Sequence, residues 1–222
     1  MLEKILQYEE NLFFLINGTH SRFFDYFMWL FSGRAIWVPI GTLIIFTIVY
    51  KKSWKQWLLI LIAITIVFTL CDQFSCHIMK PLFERPRPTR YPEIMEHVRT
   101  LYDYMGGRYG FVSGHATNSF GFATFSALLF KNKLYRIVIF LWAAIVSYSR
   151  VYLGVHFVSD IVGGMIFGII IGFFVYKLYC LGEKKLSITT TYSIRRINIM
   201  SIIMICYVII FSILGEDIVE FL

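Results

Sequence analysis

The chain has 222 residues, of which 58% are hydrophobic and only 16% charged. A soluble domain of this length carries roughly a quarter charged residues, so the composition excludes an ordinary water-soluble domain and indicates a multi-span membrane protein. The formal net charge is +7, but the basic residues lie between apolar runs, which points to lipid headgroups or a phosphate ligand rather than nucleic acid.

Residues 2–16 place Leu2, Ile5, Leu6, Leu12, Phe13 and Ile16 near one helical face, away from Glu3, Lys4, Glu9 and Glu10. That pattern predicts a helix lying in the membrane interface. Glu3 and Lys4 do not make the basic start of a cleavable signal, and no small-residue cleavage site follows, so the spans themselves are expected to target the chain. Asn17-Gly18 signals a turn, and Ser21 can cap the aromatic stretch Phe23–Phe31, which is too short to span alone. Six candidate spans follow at 35–51, 54–79, 114–130, 134–150, 157–179 and 197–214. Each approaches the ~20 apolar residues a helix needs to cross a bilayer. The expected fold is all-α and integral to the membrane, with six transmembrane helices over 35–214. An interfacial region (1–34) precedes them and a short acidic tail (215–222) follows. Residues 81–112 form the one long polar segment, and a loop of that length is usually functional or disordered. Cys71, Cys76, Cys180 and Cys206 all fall in apolar runs, giving neither a disulfide framework nor paired metal-ligand spacing.

Parity sorts the connections. The junctions near 52, 132 and 190 share one side; the long loop, the 151–156 turn and both termini share the other. The first side carries eleven of the 21 Lys and Arg residues and the second carries ten, so raw counting is nearly neutral. The second side also holds Glu84, Glu93, Glu96, Asp103, Glu216, Asp217 and Glu220. The positive-inside rule therefore places the first side in the cytoplasm. A multi-pass plasma (inner) membrane protein results, its loop side facing out.

Three clusters converge on that loop side. Lys80-Pro-Leu-Phe-Glu-Arg-Pro-Arg87-Pro88 leaves the second span along a path that its prolines keep extended. Lys80 and Arg87 can there share one anion, or merely snorkel as interfacial anchors. Ser113-Gly114-His115 opens the third span, where helical N–H groups and the dipole favour anions; an ordinary Ser cap beside an interfacial histidine would look the same. Ser149-Arg150 and His156 lead to Asp160, four residues on and on the same helix face. Asp160 can accept the imidazole Nδ1–H and leave Nε2 free as a nucleophile. A structural polar pair at a span end is the alternative. Three cations, a helix start and two histidines at one lipid–water boundary are costly without a shared counter-ion, and phosphate is the natural one.

These residues also carry a resemblance. The chain resembles the type 2 phosphatidic acid phosphatase superfamily, whose pattern is Lys-x6-Arg-Pro, Pro-Ser-Gly-His and Ser-Arg-x5-His-x3-Asp. Lys80, Arg87, Pro88, Ser113, Gly114, His115, Ser149, Arg150, His156 and Asp160 match it at the required spacings, and Val112 replaces the usual proline. The motifs cover 80–160, and the six-span layout extends the similarity over 35–214. The resemblance implies a lipid phosphatase in which His156 attacks phosphorus, Asp160 orients it and His115 serves the leaving oxygen. Lys80, Arg87, Ser113, Gly114 and Arg150 would hold the phosphate, with no metal and no cofactor.

The expected partners are a membrane lipid phosphate and bilayer lipids; oligomeric state is not legible. Among substrates, undecaprenyl diphosphate stands first in this reading and lipid A close behind, followed by phosphatidylglycerol phosphate and phosphatidate. Transfer of the phosphate to another lipid would use the same intermediate. A haloperoxidase is disfavoured because those relatives are soluble. A lipid-binding or transport protein on a dead scaffold is the non-enzyme reading, and the intact motif set argues against it. Asp72, inside the second span, is either a functional carboxylate or, as the preferred reading, the partner in an interhelical hydrogen bond. Arg90, Arg99, Arg108, Tyr102, Tyr104 and Tyr109 read either as a headgroup clamp or as an aromatic belt.

Overall fold

Long apolar runs with few Gly or Pro breaks fold as helices, because in lipid every backbone polar group must be satisfied within its own segment. The computed structural model describes residues 2–221, with side chains for 7–219. The apolar face formed by Leu2, Ile5 and Leu6, the charges Glu3 and Lys4, and Glu220 of the acidic tail lie outside the described side chains. Among the described residues the architecture is helical throughout, without strands; Pro86 and Tyr109 form an isolated antiparallel bridge.

Helices α1 (Leu2–Asn17) and α2 (Arg22–Ser32) open the chain, and Ser21 caps α2 by accepting from the Phe24 N–H. A 3-10 turn (Ala35–Trp37) leads into α3 (Val38–Val49), bent by 73° from α2. Helix α4 (Trp54–Asp72) continues through a π-helical stretch (Gln73–Met79) into α5 (Lys80–Phe83). After the long loop come α6 (Gly114–Phe130), α7 (Lys133–Tyr152), α8 (Val158–Lys185), α9 (Ile194–Ile213) and α10 (Gly215–Phe221).

Among the described residues, four helices are long and apolar enough to cross a membrane: Trp54–Phe83, Lys133–Tyr152, Val158–Lys185 and Ile194–Ile213. The bent pair of α2 and Ala35–Val49 makes a fifth if it counts as one span. Length and composition alone thus do not establish the six expected, for two physical reasons. The run at 35–51 is a 12-residue helix after a sharp bend. The run at 114–130 is a 17-residue helix at the centre of the bundle, buried along most of its length and carrying Thr117, Ser119, Thr124 and Ser126 in that buried face. The expected acidic tail is mostly helix: α10 packs on α2, and Arg22 pairs with Glu216.

Helix α6 packs most closely on α8, through glycines every fourth residue at 164, 168 and 172. Small residues at this spacing let helix backbones touch. A Cβ at Gly168 would stand 2.5 Å from the Thr117 carbonyl oxygen. Gly168→Leu is therefore expected to destabilise the bundle by ~3 kcal/mol, read as a lower unfolding midpoint in detergent. Gly41→Ala is the control, since nothing lies within 4 Å of a Cβ there.

The two ends of the bundle sort as parity expects. At one end Lys52 donates to the Thr191 carbonyl, Gln56 to that of Thr189 at 2.9 Å, and Asn132 to Asn198 at 2.8 Å. At the other end α1 and α2 each pack on the 152–157 turn. Phe13, fully buried, packs with its ring tilted against Phe157 at 5.5 Å, and Asn17 donates to the carbonyls of Arg99 and Tyr152 at 2.9 Å each. Tyr8, Leu12 and Leu15 on the outer face of α1 stay exposed.

Candidate active site

Each motif enters from a different element. The π-helical stretch, a form of helix often found at functional sites, turns Asp72, Cys76 and Lys80 toward one cavity. The cavity has a volume of about 650 Å³ and is also lined by Arg87, Gly114, His115, Arg150 and His156. The structure thus brings together six of the eight residues singled out in the sequence. Ser113 and Asp160, both fully buried, stand directly behind them.

Arg87 is held by two carbonyls, its Nε donating to Tyr109 at 3.1 Å and Nη1 to Val155 at 3.2 Å. Burial, and then Arg150, push its pKa down to about 10, which leaves it cationic at neutral pH. Gly106 makes room for it: φ is +66°, and a Cβ there would meet Nη1 at 2.5 Å. Arg150, also buried, donates to the Ser32 hydroxyl and, at 2.8 Å, to the Tyr104 hydroxyl. Burial would raise the Tyr104 pKa, but Arg150, Arg87 and Arg34 together bring it below the ordinary value. Lys80 Nζ lies 3.5 Å from the Cys76 thiol.

Ser113 is the N-cap of α6, its hydroxyl accepting from the Ala116 N–H at 3.5 Å, and its own N–H donates to the Asp160 carbonyl at 3.0 Å. It shapes the helix start from behind the cavity, leaving Gly114 and His115 at its surface. Val112, in the place of the family proline, is fully buried and follows a cis peptide bond.

His156 is 1% exposed, and its Nδ1 lies 3.1 Å from Asp160 Oδ2, which also accepts from the Phe157 N–H at 3.0 Å. Burial, followed by Arg87, Arg150, Lys80 and Arg85, holds the His156 pKa well below the usual histidine value. A neutral ring with its Nδ1–H on a carboxylate keeps the Nε2 lone pair available for nucleophilic attack.

Other expectations resolve by contact. Asp72 accepts from the Cys76 thiol at 3.6 Å, one turn along its own helix; among the described residues it makes no interhelical hydrogen bond. Of the loop residues, Tyr104 reaches the site. Arg99 is spent on Asp25 at 2.5 Å, Arg108 lies over Tyr109 at 5.2 Å, Tyr102 packs at a tilt on Trp29, and Arg90 donates to Gly106 O at 3.4 Å. Arg34, which the motif clusters do not include, lines both this cavity and an adjoining one of about 690 Å³. Its signal was its position after Gly33, at a break between two apolar runs.

Comparison with known proteins agrees with this geometry. Residues 54–181 match the family model described as PAP2 superfamily. The chain belongs to the PAP2 superfamily. It is 41% identical to the lipid A 4'-phosphatase of Porphyromonas gingivalis, over 83% of this chain and 78% of that protein. With the lipid A 4'-phosphatase of Bacteroides thetaiotaomicron the identity is 39%, over 83% and 81%. The crystal structure of Aquifex aeolicus LpxE superposes with a TM-score of 0.56 at 30% identity, covering 75% of this chain and 93% of that one. The PAP2 chain described here is therefore an enzyme, a membrane lipid phosphatase that hydrolyses phosphate esters of lipids.

Proposed function

We propose that this PAP2 enzyme removes a phosphate from lipid A or a closely similar phosphorylated glycolipid. The observation that carries this is the identity of 41% and 39% to two lipid A 4'-phosphatases across about five-sixths of the chain. It reverses the order expected from sequence, which put undecaprenyl diphosphate first. The wide, largely apolar cavity beside the cationic one, with Arg34 on the shared wall, leaves room for the rest of a bulky lipid next to the scissile phosphate.

In the proposed reaction the phosphate enters among Lys80, Arg87, Arg150 and the Gly114 N–H. Its negative charge offsets those cations and lets His115 hold a proton. The Nε2 lone pair of His156 bonds to phosphorus as the bond to the lipid oxygen breaks. That oxygen takes the bond's electron pair and the proton of His115. Asp160 stabilises the phosphoimidazolium through Nδ1–H. Water then attacks phosphorus, its proton passes to His115, the Nε2–P bond breaks, and phosphate leaves. The fixed cations supply the charge stabilisation that magnesium provides in other phosphoryl-transfer sites.

Purified protein offered lipid A, undecaprenyl diphosphate, phosphatidylglycerol phosphate and phosphatidate is expected to release phosphate fastest from lipid A, with EDTA leaving the rate unchanged. Preference for another lipid would overturn the substrate reading. Loss of activity in EDTA, restored by a divalent metal, would overturn the mechanism. The site is proposed to face the extracytoplasmic side of the inner membrane. Cysteine at the exposed Asp103, the native cysteines being replaced, should then react with an impermeant thiol reagent applied from that side.

A further inference from the structure

The first motif contains a second arginine, Arg85, which the motif spacing treats as filler. Its Nη1 donates to Asp160 Oδ1 at 3.1 Å and to the Ser159 hydroxyl at 2.6 Å, while Nη2 donates to Glu9 Oε2 at 2.6 Å. The guanidinium lies 4.4 Å over the Phe157 ring. The other Glu9 oxygen accepts from the Ser159 hydroxyl and, at 3.3 Å, from the Ser159 N–H. A chain of contacts therefore runs from α1 to the imidazole: Glu9, Arg85, Asp160, His156.

We infer that Arg85, fixed by Glu9, is a positioning residue for the His156–Asp160 pair, which makes the N-terminal helix part of the catalytic apparatus. Two physical requirements support this. First, Asp160 is fully buried beside a neutral histidine, and a buried carboxylate without a hydrogen-bonded cation is strongly disfavoured. Arg85 is the cation in contact with it. Second, the carboxylate has two oxygens to place. Oδ2 serves His156 and Phe157, so a bond on Oδ1 sets the rotation that keeps Oδ2 aimed at Nδ1. Arg85 in turn holds one geometry because Glu9 takes its far nitrogen and Phe157 its face. Glu9 and Arg85 are only 15% and 22% exposed at the side chain, which keeps their pairing from being dissipated in solvent.

The inference rests on His156 being the nucleophile, and the test separates the two. Full-length protein is assayed on the panel lipid it hydrolyses fastest, with acid-quenched phosphoenzyme measured alongside. Arg85→Met is expected to lower kcat by about 10- to 100-fold, the usual range for losing an outer orienting partner, with KM within twofold of the parent. Its acid limb of kcat should move to higher pH, because Asp160 takes up a proton more readily once the cation is gone. Arg85→Lys should restore the pH limb but not the full rate. Glu9→Gln, milder for folding, should lower kcat in the same sense with KM unchanged. Parent-like kcat and pH profile in both Arg85→Met and Glu9→Gln would overturn the inference. So would a loss that tracks thermal stability alone with the acid limb unmoved. A parent enzyme that turns over without any phosphoenzyme would instead overturn the role of His156.

Discussion

Replacing His156 with alanine is expected to abolish phosphate release, with kcat at least ~10⁴-fold lower, while the protein still folds. Removing a covalent nucleophile leaves only binding and charge stabilisation, and residues acting as one unit lose nearly everything when one member goes. Folding should survive because the ring packs in a wall of the cavity and not between helices of the main core, whose members are Ile60, Phe125, Tyr135 and their neighbours. The variant also removes an imidazole whose protonation burial, and then the surrounding cations, oppose. Phosphate release, phosphoenzyme after acid quench, and the unfolding midpoint are the three measurements. A folded His156→Ala protein with near-parental turnover would remove His156 from the chemistry.

The chemistry was more legible than the fold, for a physical reason. A phosphate needs several cations and a helix start at one place, so its residues must appear as tight local clusters wherever the spans end. Lys80, Arg87, Gly114, His115, Arg150 and His156 are found by that logic, and the cavity they line joins them. Apolar runs likewise locate Trp54–Phe83, Val158–Lys185 and Ile194–Ile213 to within a few residues. Hydropathy does not report what a helix packs against. It reads 114–130 as a span like the others, without showing that this helix is enclosed by protein on most sides. It separates the stretch ending at Phe31 from the run beginning at 35, but not the 73° bend between them. The glycine repeat at 164, 168 and 172 was readable as a close helix contact, its signal being the spacing alone. Glu9 was not readable at all, since its meaning depends on Ser159 and Arg85 meeting it from distant parts of the chain.

Arg87→Lys is expected to lower kcat/KM by about 100-fold, or ~2.7 kcal/mol, although the charge is kept. Arg87 spends Nε and Nη1 on the carbonyls of Tyr109 and Val155, and those bonds hold the plane of the guanidinium while its remaining N–H groups are free for phosphate. Lysine has a single ammonium and no such plane. It must either stay on the carbonyls or reach for the ligand. The loss should therefore fall mainly on kcat, because a fixed donor matters most where charge develops in the transition state. Gly106→Ala gives an independent check with Arg87 intact. A methyl group there meets Nη1 at 2.5 Å, on a residue whose φ of +66° already disfavours a side chain, so the guanidinium must move and part of the same kcat loss should appear. Full activity in Arg87→Lys would mean that the site asks only for charge at this position, and the two carbonyl bonds would then be structural rather than catalytic in their effect.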